Sequence, residues 1–127
     1  MVKAWEAARK AARQAQEAMY EGRCTIAEHR TVRSEKTKLS EDEEVIVWEN
    51  EPCRLSFETV KAAGSAGPAA AITQTVKLFL SPEIKVKPGS RITVRQNQVS
   101  TDYKSSGAAA VYPTHQEILL ELFERWA

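Results

Sequence analysis

The side chains with the widest chemical range in this chain are two thiols, Cys24 and Cys53, and two imidazoles, His29 and His115. A Cys2His2 zinc site takes its ligands in close pairs such as C-x2-C and H-x3-H, so that one turn delivers two of them. Neither close pair is present, which argues against a metal ion. A catalytic thiol needs an imidazole as its base, and no signature surrounds either cysteine. The chain has no G-x-S-x-G elbow, no glycine-rich phosphate loop and no H-E-x-x-H pair. The expectation is therefore a protein that is not an enzyme and that uses no cofactor and no metal. Each cysteine sits in an alternating apolar pattern, which predicts buried, reduced thiols on strands. A disulfide is the other reading, and no secretory context favours it.

Around these residues the chain divides into unequal parts. Residues 2–21 predict a helix, with Trp5, Ala8, Ala12, Ala15 and Met19 on one face and Gly22 as its stop. That face is almost all alanine. It suits close approach by another helix or subunit, and equally a helix lying on its own core. From residue 23 the pattern becomes that of strands: 23–32, 45–50 (ended by Pro52), 53–58, 71–80, 83–87, 91–95 and 99–104, with a short piece at 108–112. Cys53, Leu55 and Phe57 are expected to point inward, and residues 33–44 to form a solvated loop. Pro88-Gly89 and Gln96–Gln98 read as turns. The C-terminal THQEILLELFERWA supports two readings. Thr114 and Glu117 make a capping box before a helical stripe of Ile118, Leu119, Leu122, Phe123 and Trp126, whereas period two turns Ile118, Leu120 and Leu122 inward as a strand.

The expected fold class is mainly β: a small antiparallel β-barrel or sandwich with one long N-terminal helix. Residues 1–22 form a helical extension and 23–127 the barrel domain, with a long Ala/Gly loop at 61–71. That loop (Ala62, Ala63, Gly64, Ser65, Ala66, Gly67, Pro68, Ala69 and Ala70 at its centre) is about twice as long as an ordinary hairpin connection.

Composition sets outer limits. A chain of 127 residues allows one ordinary domain. Its 18 basic and 17 acidic groups exclude a polybasic nucleic-acid binder held by bulk charge. No apolar run reaches the ~20 residues of a membrane span, and the start lacks the apolar core of a signal peptide. The charge is nevertheless segmental. Residues 39–58 carry one basic and seven acidic groups, and residues 59–113 carry seven basic and two acidic. Such segments suit head-to-tail contact between copies, or form a solvated surface.

Three stretches, RCTIAEHR, EPCRLSF and TVKLFLSPEIKVKPGSRITV, together with the closing YPTHQEILLE, resemble the head-closure (head–tail connector, or stopper) proteins of tailed bacteriophages and phage-like tail particles. The resemblance covers residues 23–126 and leaves out the Ala-rich helix. It implies that the C-terminal segment is a strand. It also implies a structural virion protein of the neck, assembled in the host cytoplasm as a homo-oligomeric ring of about 12 or about 6 copies. Such a ring sits below the portal and its adaptor, closes the capsid exit after packaging and offers a platform to the tail. The implied partners are further copies of the chain, the portal-bound adaptor, a tail terminator or completion protein and the genomic DNA in the channel, with no membrane. Within that role Ala62–Ala70 is a candidate lumen loop, and Trp5, Ala8, Ala12, Ala15 and Met19 are a candidate docking face. The rival is an OB-like module for single-stranded nucleic acid. It would use Lys77, Lys85, Lys87, Arg91, Arg95 and Lys104 with Phe79 and Tyr103 as stacking platforms.

Overall fold

A computed structural model describes residues 4–33, 35–36, 39–61 and 72–126. One helix, α1 (Ala4–Ala18), precedes seven strands: β1 (Gly22–Arg33), β2 (Ser40–Lys61), β3 (Ile72–Leu80), β4 (Arg91–Gln96), β5 (Val99–Ser105), β6 (Ala110–Val111) and β7 (Gln116–Leu122). All pairings are antiparallel, in the order β3-β2-β1-β4-β5-β7-β6. Pairing of β3 with β7, from Val76↔Leu120 to Leu80↔Gln116, closes the sheet into a ring. The mainly β fold with one N-terminal helix is the one the alternation predicts. No helix among the described residues is long and apolar enough to cross a membrane.

Alternation fills the interior. Cys24 and Ile26, Cys53 and Leu55, Leu78 and Leu80, Ile92 and Val94, and Ile118 and Leu120 form one buried cluster with Ile84 and Tyr103. On each strand the two residues are two apart, so they share the inner face. Val47 and Trp48 both pack against this cluster although they are sequence neighbours. The β1–β2 register explains the exception. Cys24 opposes Glu51 and Ala27 opposes Ile46, three steps against five, so β2 bulges twice. Asn50 takes a left-handed φ of 54° within the bulged stretch. Asparagine tolerates that conformation better than most residues.

Several expectations from pattern change in the structure. The helix ends at Ala18, not 21, closing with Met19 N donating to Gln16 O and Tyr20 N to Glu17 O. Gly22 is therefore not its stop but the first residue of β1, where a Cβ would lie 3.0 Å from Cys53 O, 3.1 Å from Gln96 Oε1 and 3.3 Å from Cys53 Sγ. Gly22→Ala is expected to cost about 1–3 kcal/mol, read as a lower urea midpoint at unchanged slope.

Pro52 does not divide two strands. It sits inside β2 opposite Arg23, at a position where β3 no longer pairs, so its missing amide is tolerated. Residues 40–44 are strand rather than loop, paired with His29–Arg33. Phe57 is 52% exposed instead of buried, because β2 has passed the end of the β1 seam (Gly22↔Cys53) and the ring stops at the level of Val76.

Residues 83–87 form no strand. In the closed ring β3 and β4 stand three places apart in either direction, so residues 81–90 must cross the mouth between them. Crossing replaces pairing, and Ile84, 4% exposed, plugs the core from above. Gln116, 2% exposed at the start of β7, holds the crossing: its Nε2 donates to Ser81 O at 2.7 Å and to Ile84 O. The C-terminal segment is strand β7, so the helical stripe is not formed: Ile118 and Leu120 point inward and Leu119 outward. Leu122, expected inward, is 68% exposed because β3 pairs with β7 only as far as Leu120. The Gln96–Gln98 turn is as expected, with Asn97 and Gln98 at φ 53° and 64° as a tight hairpin requires.

Candidate assembly surfaces

The candidate docking helix has no buried residue. Ala8, Ala12, Ala15 and Met19 are exposed, and Trp5 is 49% exposed with the Arg9 guanidinium 4.5 Å over its ring. The reading in which this face lies on the chain's own core is therefore not realised. The side that meets the barrel is polar: Arg13, Gln16, Glu17 and Tyr20 are half-buried. Arg13 Nη1 reaches Glu83 Oε1 at 2.8 Å, while Gln16, Met19 and Tyr20 line a small hollow with Arg54 and Phe79. Pattern alone missed this arrangement, since the periodicity finds an apolar face without saying where it points.

β2 runs through the ring and out at both ends. At one end β1 and β2 continue as a two-stranded ribbon beyond Ala27↔Arg91, the last β1–β4 pair. At the other end β2 and β3 continue from Phe57↔Val76 to Lys61↔Ile72. The candidate lumen loop Ala62–Ala70 follows this second ribbon and lies outside the described residues. At the base of the β2–β3 ribbon a groove of about 200 Å³ is lined by Leu55, Phe57, Gln96, Val99 and Tyr103. Gln96 stands in for a strand there: its Oε1 accepts from Leu55 N at 2.8 Å and its Nε2 donates to Leu55 O at 3.4 Å.

The first ribbon is braced from outside. Arg91 donates through Nη1 to both Glu44 oxygens (2.9 and 3.1 Å) and through Nη2 to Asp102 Oδ2 at 3.0 Å, with its guanidinium 5.5 Å from the Phe123 ring. The tail beyond β7 folds back over this face. Phe123 N donates to Asp102 O, and Trp126 stacks on His29 at 4.9 Å. His115 stacks on Tyr112 at 4.8 Å and contacts Glu117 Oε2 at 3.1 Å. The two histidines and two cysteines thus occupy three separate places, and among the described residues no cluster of ligands could hold a metal ion.

The basic set considered for nucleic-acid binding is not gathered in one groove: Lys87 and Lys104 line a groove of about 490 Å³ that Glu28, Glu121, Arg125 and Trp126 also line. Lys77, Lys87, Arg91 and Lys104 each lie within 4 Å of a carboxylate, from Glu117, Glu28, Glu44 with Asp102, and Glu121 respectively. Tyr103 is 6% exposed, and Phe79 is half-buried near His115. Lys85 and Arg95 are exposed.

No family model matches the chain, and no curated protein matches it. A solved structure is similar. It is the phage-like element PBSX protein xkdH from Bacillus subtilis, with a TM-score of 0.47 and 9% sequence identity, covering 79% of this chain and 91% of that one.

The two thiols do meet. Cys24 and Cys53 are 1% and 0% exposed, both free, on neighbouring strands. A hydrogen bond with Cys53, then burial, hold the Cys24 thiol far above the ordinary thiol range. The neutral form is the one the fold accommodates, as expected of inert structural cysteines. The sign for stability follows from linkage. A thiol raised in the folded state supports the fold fully below the unfolded value, about 8.5, and that support is lost as pH rises above it. Thermal melts from pH 7 to 10 are expected to show a falling midpoint above about pH 8.5, with a shallower fall in Cys24→Val.

Proposed function

We propose that this chain is a structural neck protein of a tailed phage or phage-like particle. It assembles as a ring below the portal and adaptor, closes the capsid exit after packaging and receives the tail. The observation that carries the reading is the course of β2, which sends one ribbon out of each mouth of the closed sheet while α1 lies outside with its alanine face exposed. A body with contact surfaces at both ends and on its flank suits a subunit placed between two assemblies, and heterologous contacts between copies close into a ring. The likeness of residues 23–126 to head-closure proteins supports the same role, which requires no catalytic group and no cofactor. The balance of charge leaves little net field with which to grip DNA passing through the channel.

Electron microscopy of the purified chain mixed with a portal–adaptor complex tests this. Rings of density below the adaptor are the expected result. A chain that stays unattached, and that retains single-stranded DNA on filters at moderate salt, supports the OB-like reading instead.

A further inference from the structure

The first turns of α1 overhang the barrel. Arg13, Gln16 and Glu17, half-buried, mark the side of the helix that meets it. Glu6, Arg9 and Lys10 precede them by seven positions each and so lie on that same side, yet all three are exposed. With Trp5 and Arg13 they line an open cleft of about 310 Å³, which Pro113 bounds on the side of the barrel. Among the described residues the ion pairs of α1 are those of Arg13, with Glu83 at 2.8 Å and Glu17 at 3.9 Å. Arg9, 4.5 Å over the Trp5 ring, and Lys10 bring two further cations to the cleft against the one carboxylate of Glu6.

We propose that this cleft receives the β1–β2 ribbon of a second copy, with Glu41 and Glu43 of the ribbon entering against Arg9 and Lys10. This rests on the ring reading above and names the contact between neighbours. Charge and facing select the ribbon. Opposed residues of an antiparallel pair share a face, so Glu43 lies with Arg30, and Glu41 two positions away joins it there. Asp42 and Glu44 lie on the other face and are satisfied within the chain, by Thr31 Oγ1 at 2.9 Å and by Arg91 at 2.9 Å. Arg30 is turned to Glu28, donating through Nε and Nη2 at 3.0 and 2.7 Å. Glu41 and Glu43 are exposed, and among the described residues neither has a cation within 4 Å.

Reach agrees with charge. Beyond Ala27↔Arg91 the ribbon runs through residues 28–33, about 20 Å clear of its own barrel. No ribbon residue lines the cleft of its own chain, so the contact joins two copies head to tail, the type that propagates around a ring. Cleft against cleft and ribbon against ribbon would each set like charges together, which excludes the symmetric pairings. A nucleic-acid backbone suits the cleft less well, because Glu6, Trp5 and Pro113 interrupt any continuous basic track.

Sedimentation of the full-length chain over a concentration series tests this with two doubly substituted variants, Arg9→Glu/Lys10→Glu and Glu41→Lys/Glu43→Lys. All four positions are exposed and outside the ion pairs of the chain, so neither variant threatens the fold. Each alone is expected to associate roughly tenfold or more weakly than wild type. An equimolar mixture regains association, because a reversed cleft then meets a reversed ribbon. Variants that associate as wild type does, or a mixture that fails to recover, overturn the docking. So does a wild-type chain that stays monomeric to about 1 mM. Loss of duplex-DNA retention on filters in Arg9→Glu/Lys10→Glu, with sedimentation unchanged, gives the cleft to phosphate instead. Microscopy with the portal–adaptor complex separates the two readings. Rings formed by Arg9→Glu/Lys10→Glu keep the neck role and reject the cleft, whereas a wild-type chain that associates but never attaches does the reverse.

Discussion

Removing residues 1–21 is expected to leave the barrel folded and to abolish ring assembly. No residue of α1 is fully buried, Arg13, Gln16 and Glu17 being only half-buried, and its ion pair with the barrel is Arg13–Glu83, whose glutamate side chain is 71% exposed. Ion pairs that open to water contribute about 0–1 kcal/mol. The melting temperature should therefore fall by no more than about 4–8 °C. Assembly should suffer far more, because the exposed candidate docking face of Ala8, Ala12, Ala15 and Met19 leaves with α1. Calorimetry and electron microscopy of the same preparation separate the two effects. A truncated chain that still forms rings on the portal–adaptor complex removes α1 from the assembly, and one that fails to fold makes the helix part of the core.

The second large effect is expected inside the barrel. Gln116→Leu keeps the approximate volume of the side chain but withdraws both donors that hold residues 81–84 across the mouth. The carbonyls of Ser81 and Ile84 then lose their partner in a buried place, at about 1–3 kcal/mol each. A total loss of about 2–4 kcal/mol is expected from urea denaturation, with faster amide exchange in residues 82–90 as Ile84 loosens from the core. A loss well under 1 kcal/mol means that the crossing is held by Ile84 packing alone.

Both predictions depend on features at different distances from the sequence. Cys24 with Ile26, Ile92 with Val94, and Ile118 with Leu120 are legible from period two, since a strand exposes alternate side chains to opposite faces whatever its neighbours are. Helix α1 is legible because alanine favours helix in any setting. The Gln96–Gln98 turn is local for the same reason.

Where pattern and structure part, the deciding contact lies far along the chain. EIKVK alternates as well as any strand here, yet it cannot pair, because β3 and β4 stand on opposite sides of the ring. Gln116 is an unremarked polar residue until the closing of β7 on β3 carries it to Ser81 and Ile84, 35 and 32 positions away. Gly22 reads as a helix stop until Cys53 and Gln96 arrive beside it. The C-terminal segment satisfies a helical stripe and a strand alternation together, and two open partners, β3 and β5, settle it as a strand.

The candidate surfaces divide in the same way. Sequence determined the composition of the α1 face, the acidic run at 41–44 and the inertness suggested for two cysteines in apolar strands. It did not determine that the alanine face points outward, that the acidic run rides on a ribbon beyond the barrel, or that Cys24 and Cys53 lie side by side. Local preference is a property of a few consecutive residues. Orientation and juxtaposition are set by which distant strands close the ring, and only the tertiary structure decides that.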